Sequence, residues 1–292
     1  MTRPRILLTG AAGQVGFELA QLLAPIGDVV ATDRSTLDLA DAGAIAAVVR
    51  RETPAIVINA GAYTAVDVAE RERDAAFAVN GRAPGVLAEE ARRLGALLIH
   101  YSTDYVFDGA ASAPYDESSP VAPLGVYGAS KLEGERAIAA SGAHALVLRT
   151  SWVYGLHGKN FLRTIQRLAA ERDELTIVAD QTGTPNWSRS LAEATVRLVA
   201  RGVGDLRERA GLYHMSSTGA TTWHGFARAI VGDVQRPRVT PIATADYPTP
   251  ARRPAYGVLA TARFERTFGF ALPPWQDALA ACLAEDRAER AG

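Results

Sequence analysis

Tyr127 and Lys131 stand four residues apart in the run VYGASK. On a helix that spacing sets both side chains on one face, with Cβ atoms roughly 5–6 Å apart. An ammonium close to a phenol favours the ionised phenol. A phenol with a pKa near 10 is a poor proton donor at neutral pH, and bringing it to about 7 takes roughly 4 kcal/mol of differential stabilisation. Ser102 and Thr103 follow the apolar run Ala96-Leu-Leu-Ile99, with Thr103 placed 24 residues before Tyr127. They add a hydroxyl at the carboxyl end of a strand, where open α/β sheets bind ligands. Hydroxyl, tunable phenol and lysine form a proton-transfer set for reducing a carbonyl. A bare Tyr-x-x-x-Lys also occurs as an ordinary surface pair, so the reading depends on what positions it.

The positioning elements begin at the amino end. Arg5-Ile-Leu-Leu-Thr9 reads as a strand, Gly10-Ala-Ala-Gly13-Gln-Val-Gly16 as a turn, and the residues to about Leu23 as an amphipathic helix. Strand, glycine turn and helix is the context of a dinucleotide site. Gly10 allows the turn, Gly13 lets backbone approach a pyrophosphate, and Gly16 permits close helix–sheet packing. The helix amino terminus then offers free N–H groups to phosphate. Asp33 ends a second strand 20 residues after Gly13, where an acid holds a ribose 2′-hydroxyl. Arg34 follows, and a guanidinium suits a 2′-phosphate, so the pair points both to NADH and to NADPH. Asp33 also reads as the cap of the turn before Ser35-Thr36. The small residues after a third strand, Ala60-Gly-Ala62-Tyr63-Thr64, leave room for the nicotinamide half of such a cofactor.

Strands are expected at 5–9, 28–33, 54–59, 97–101, 145–149 and 211–215, with helices between them at 42–51, about 67–92 (interrupted near Asp74 and Asn80-Gly81) and 127–140. Alternation of this kind predicts a Rossmann-type, doubly wound parallel sheet. Residues 1–151 are expected to form the dinucleotide-binding domain, with 186–215 returning to it. Residues 152–185 and 216–292, with helices at 161–171, 222–231 and 275–285, are expected to form a smaller, interleaved substrate lobe.

Composition excludes several classes. The 292 residues carry 31 basic and 32 acidic side chains, which favours neither nucleic acid nor an anionic membrane. No apolar run approaches a membrane span. The lone cysteine, Cys282, permits no internal disulfide and fits a reducing compartment. The first strand starts too early to leave room for a signal peptide, so a soluble cytoplasmic protein is expected. None of the five histidines sits at metal-ligand spacing, and His100 reads as packing. No Gly-x-Ser-x-Gly elbow marks a hydrolase.

Taken together, GAAGQVGFEL at 10–19, NAGAYTAVDVAE at 59–70, HYSTDYVFDG at 100–109, YGASKLEGE at 127–135, RTSWVYG at 149–155 and YPTPARRP at 247–254 resemble the extended short-chain dehydrogenase/reductases that act on nucleotide sugars. The resemblance spans essentially the whole chain. It implies reduction of the C4 ketone of dTDP-4-dehydro-β-L-rhamnose with NADPH, NADH also being accepted. It makes Tyr127 the proton donor, Lys131 the residue that binds the nicotinamide ribose and lowers the Tyr127 pKa, and Thr103 the partner of the C4 oxygen. It sets Gly13, Gln14 and Val15 round the pyrophosphate, Asp33, Asp38 and Leu39 near adenosine, and Ala62, Tyr63 and Thr64 along the cofactor. Asp104 and Trp152 are expected to meet the dTDP-sugar, and Arg253 its diphosphate. Some members are thought to dimerise through carboxylates holding Mg²⁺. Glu18 and Glu285 could join such a cluster, but Arg189 stands where a further acid is expected, so no metal is assigned and a homodimer stays open. The competing readings are an epimerase or 4,6-dehydratase of the same fold and a non-catalytic dinucleotide-binding regulatory subunit. Dehydratases follow the active-site threonine with Asp and Glu; here the order Thr103-Asp104-Tyr105 lacks the second carboxylate.

Overall fold

A computed structural model of the chain describes residues 3–232 and 236–291. Six parallel strands form its main sheet: β1 (Arg5–Thr9), β2 (Asp28–Thr32), β3 (Ile56–Asn59), β4 (Leu97–Thr103), β5 (Ala145–Thr150) and β6 (Gly211–His214). Their spatial order is β6-β5-β4-β3-β1-β2. β1, β3, β4 and β5 are buried almost throughout because both sheet faces are covered there, while β2 lies at an edge and is partly exposed. Successive side chains still alternate between faces. Ile6, Leu8, Ile56, Ile58, Leu97 and Ile99 share one core with Leu191 and Leu198, while Leu7, Val57 and Leu98 share the other with Val49 and Leu87. Each fully buried Leu or Ile contributes about 1.5–3 kcal/mol.

Helix α1 (Gln14–Leu23), α2 (Ala42–Glu52), α3 (Ala83–Leu94) and α4 (Val126–Ser141) follow the strands in the expected order. α3 is preceded by Arg73–Phe77 and by a π-turn at Ala78–Arg82, where the sequence shows its Asn80-Gly81 interruption. Helix α5 (Ser188–Val199) packs on α1 through Leu191 and Leu198. A third core gathers Tyr154, Leu162, Leu175, Trp187, Phe226, Trp275 and Cys282. Beside it a parallel pair joins Glu174–Val178 to Arg238–Ile242, the latter strand unmarked in the sequence because Pro241 sits inside it. The last helix, Trp275–Ala291, runs past the expected end at Glu285.

The chain steps from β1 outward to β2 and returns to β3 on the other side of β1. That reversal opens a crevice at the strands' carboxyl ends, between the turns after β1 and β3. Gly10 lies there at φ +74°, and a Cβ on it would stand 2.4 Å from the Gly61 nitrogen, so only glycine lets the two turns close.

Candidate active site

The glycine turn presents an open helix end. Gly13 caps α1 in extended conformation with no side-chain bond, no acid occupies the first turn, and the first N–H groups have no intrahelical acceptor. Beside them, the Gln14 Oε1 is buried without a partner. This cradle fits the pyrophosphate of a dinucleotide. The Asp33 carboxylate accepts from the Ser35 nitrogen at 2.9 Å, the Ser35 hydroxyl at 2.6 Å and the Thr36 nitrogen at 3.2 Å. These bonds hold its pKa down and make it the cap of its own turn. Arg34 is exposed beside it. Asp38 bonds the Ala40 nitrogen, and Leu39 lies against Gly61. Tyr63 turns its hydroxyl outward to Glu72, while its backbone is clamped by Asn80 at 2.8 and 2.9 Å. Ala62 and Thr64 flank it in the same loop. Asn80 also reaches Ser130 on α4 at 3.1 Å. Its only mark in the sequence is the helix break, and π-turns often sit at functional sites.

Thr103 ends β4, and Tyr127 opens α4. Gly128 brings them together, since a Cβ on it would meet the Tyr105 carbonyl at 2.1 Å. The Tyr105 ring meets Tyr127 edge-on at 5.4 Å. Burial pushes the Tyr127 pKa up to about 12. Thr103 counters that burial by pulling the pKa the other way, and Asp104 adds to the rise. Lys131 is buried, donates to the Tyr101 carbonyl and stands 3.3 Å from His100 Nε2. The desolvation that raises the phenol lowers Lys131 to about 8, against the opposing pull of Glu135.

Asp104 is 2% exposed and accepts from the Thr103 hydroxyl at 3.0 Å. With no cation beside it among the described residues, burial raises its pKa to about 7. Tyr105 is likewise pushed up by burial and by Asp104.

Trp152 takes the left-handed conformation at φ +42°, rare for a bulky residue and concentrated at functional sites. Its ring stacks on Trp223 at 3.6 Å, 9° from parallel. Trp223 carries no motif, so nothing in the sequence marks it. Arg253 is gripped by Asp67. Behind the site Glu135 takes two bonds from Arg149, at 2.9 and 2.6 Å, and one from Ser102. Elsewhere Arg189 stands among Glu18, Glu193 and Glu285, a cation where the carboxylates converge.

A doubly wound parallel sheet, an open glycine turn at its switch point, and a threonine, tyrosine and lysine at its carboxyl edge define a Rossmann-type short-chain dehydrogenase/reductase. The family profile described as the RmlD substrate binding domain matches residues 4–288. The chain is 49% identical over 296 residues to the dTDP-4-dehydrorhamnose reductase of Burkholderia thailandensis, covering 96% of this chain and 98% of that one. It is 41% identical over 282 residues to that of Escherichia coli, covering 93% and 94%. The crystal structure of dTDP-4-dehydrorhamnose reductase from Bacillus anthracis in complex with NADP superposes with TM-score 0.91 at 35% identity, covering 98% and 100%. The chain belongs to the RmlD family of dTDP-4-dehydrorhamnose reductases.

Proposed function

We propose that the protein reduces the C4 ketone of dTDP-4-dehydro-β-L-rhamnose to dTDP-β-L-rhamnose, a precursor of surface polysaccharide. The observation that carries this reading is the meeting of β4's end, with Thr103 and Tyr105, and the start of α4, with Tyr127, packed so closely that only Gly128 fits against the Tyr105 carbonyl, together with the open cradle at Gly13. The near full-length identity to curated dTDP-4-dehydrorhamnose reductases supports the substrate. NADPH is the better cofactor of the two: Arg34 stands exposed beside Asp33 to meet a 2′-phosphate, while the Asp33 Oδ2, outside the turn's hydrogen bonds, keeps NADH usable. The NADP bound to the Bacillus anthracis enzyme supports that preference.

When bound, the reduced nicotinamide supplies a hydride to the ketone carbon. Gly13, Gln14 and Val15 hold the pyrophosphate, with Ala62, Tyr63 and Thr64 along the cofactor. Tyr127 gives its proton to the C4 oxygen as the hydride reaches the carbon, so the ketone becomes the alcohol and the phenolate regains a proton from solvent. Thr103 donates a hydrogen bond to the same oxygen when Asp104 is protonated and does not claim its hydrogen. Trp152, backed by Trp223, offers an apolar face to the nucleotide sugar, and Arg253 meets its diphosphate. Residues 152–185 and the described parts of 216–261 lie on the substrate side, whereas Phe264, Phe268 and Leu272 pack into the core of the main sheet. Among the described residues no helix is long and apolar enough to cross a membrane, and a single buried thiol suits the reducing cytoplasm.

The test is oxidation of NADPH on adding the 4-ketosugar nucleotide, with the product identified. No consumption of reduced cofactor would reject the assignment in favour of a regulatory subunit.

A further inference from the structure

Behind Lys131 a buried chain of polar groups runs to the glycine turn. The Thr9 hydroxyl bonds Asn59 Oδ1 at 2.7 Å, and the Gly61 backbone nitrogen bonds the same oxygen at 3.2 Å. Asn59 Nδ2 lies 3.0 Å from His100 Nδ1, and His100 Nε2 lies 3.3 Å from Lys131 Nζ. Thr9, Asn59, His100 and Lys131 are each at most 2% exposed.

The donors in this chain decide its protons. A backbone N–H only donates, so Gly61 settles which atom of Asn59 is the oxygen. Asn59 then turns its NH₂ to His100 Nδ1, which must present a lone pair. A neutral imidazole carries its one proton on Nε2, the atom facing Lys131. A donor facing Nζ is satisfied only by the lone pair of an uncharged amine; an ammonium there would oppose N–H to N–H.

We propose that His100 is a positioning residue for Lys131, locked by Asn59 as the Nε2–H tautomer and holding the lysine at the Tyr101 carbonyl only while it is uncharged. On protonation Lys131 leaves His100 and moves along its helix face toward Tyr127 and the cofactor. Its charge and its position are thereby coupled. The other charge-bearing groups around it are Glu135 and Tyr127 on α4, Arg149 on β5, which is tied to Glu135, and Asp104 beyond the end of β4. Burial holds the His100 pKa well below its ordinary value, consistent with a neutral ring.

The role in turnover rests on the reductase reading, but the tautomer does not. In ¹⁵N-histidine NMR of the wild-type chain, His100 should show a protonated Nε2 and a bare Nδ1 from about pH 6 to about pH 9. An Nδ1–H tautomer or an imidazolium overturns the proposal whatever the enzyme's substrate. In kinetics, His100→Asn keeps a group for Asn59 but withdraws the donor from Lys131. The alkaline limb of kcat/KM should move up by about one pH unit. His100→Gln restores a donor near the Nε2 position and should return the limb toward wild type. Equal limbs in all three proteins also overturn it.

Discussion

Arg253 closes on Asp67 through two hydrogen bonds, 2.7 and 3.1 Å long, and on the Ala251 carbonyl at 3.3 Å. This joins the 247–254 loop to the short helix after β3, 186 residues away in sequence, and sets a guanidinium beside Tyr105. Arg253→Ala should raise KM for the nucleotide sugar about 10–100-fold, the loss expected for a charge-assisted phosphate contact. Affinity for NADPH should be unchanged in a titration. Equal losses for both ligands would make Arg253 a structural clamp alone.

Asp104 makes pH the second test. An aspartate titrates near 3.9 when unfolded, and burial raises it to about 7 here. The folded state therefore holds the proton more tightly. Its stabilising effect is full below about pH 4 and is lost as pH rises through about 7. Asp104→Asn should remove that decline in urea titrations across the window. It should also flatten the loss of kcat above neutrality, because an amide does not reclaim the Thr103 hydrogen as a carboxylate does. An unchanged profile would show that Asp104 does not govern Thr103.

Tyr127→Phe keeps the ring and removes the proton. Turnover should fall about 10²–10⁴-fold, the usual contribution of a general acid, with NADPH binding retained. Near-normal turnover would assign the proton to another group.

The glycine turn separates binding from folding. A Cβ on Gly10 meets backbone at 2.4 Å, whereas one on Gly13 meets only the Gly10 carbonyl, at 3.2 Å. Gly13→Val should leave the melting temperature close to wild type and weaken NADPH. Gly10→Ala should lower the melting temperature itself. The reverse ranking would mean the turn is not a phosphate cradle.

Tyr105 distinguishes reduction from dehydration. Its raised pKa keeps it protonated at neutral pH, so no phenolate is available to take the C5 proton. Incubation with dTDP-glucose and NAD⁺ should yield no 4-keto-6-deoxy product; formation at catalytic rate would identify a dehydratase.

What the sequence determined by itself is local. A glycine turn between strand and helix, the four-residue interval from Tyr127 to Lys131, and strands long and apolar enough to be buried on both faces follow from backbone geometry over a few residues. They were legible as a dinucleotide fold with a reductive site, and six motifs named its relatives. What only the tertiary structure decided depends on partners far apart in the chain. Asp33 could face a ribose or its own turn, and the fold gives its Oδ1 to Ser35 and Thr36 while Oδ2 takes none of those bonds. Lys131 shares a helix face with the phenol, and the fold adds hydrogen-bond partners at His100 and the Tyr101 carbonyl, some 30 residues away. Trp223 acquires a role only by stacking on Trp152, and Asp67 only by gripping Arg253. Burial is also a property of the folded surroundings: Asp104 looks like any other aspartate in the sequence until the packed core removes its water and lifts its pKa toward neutrality.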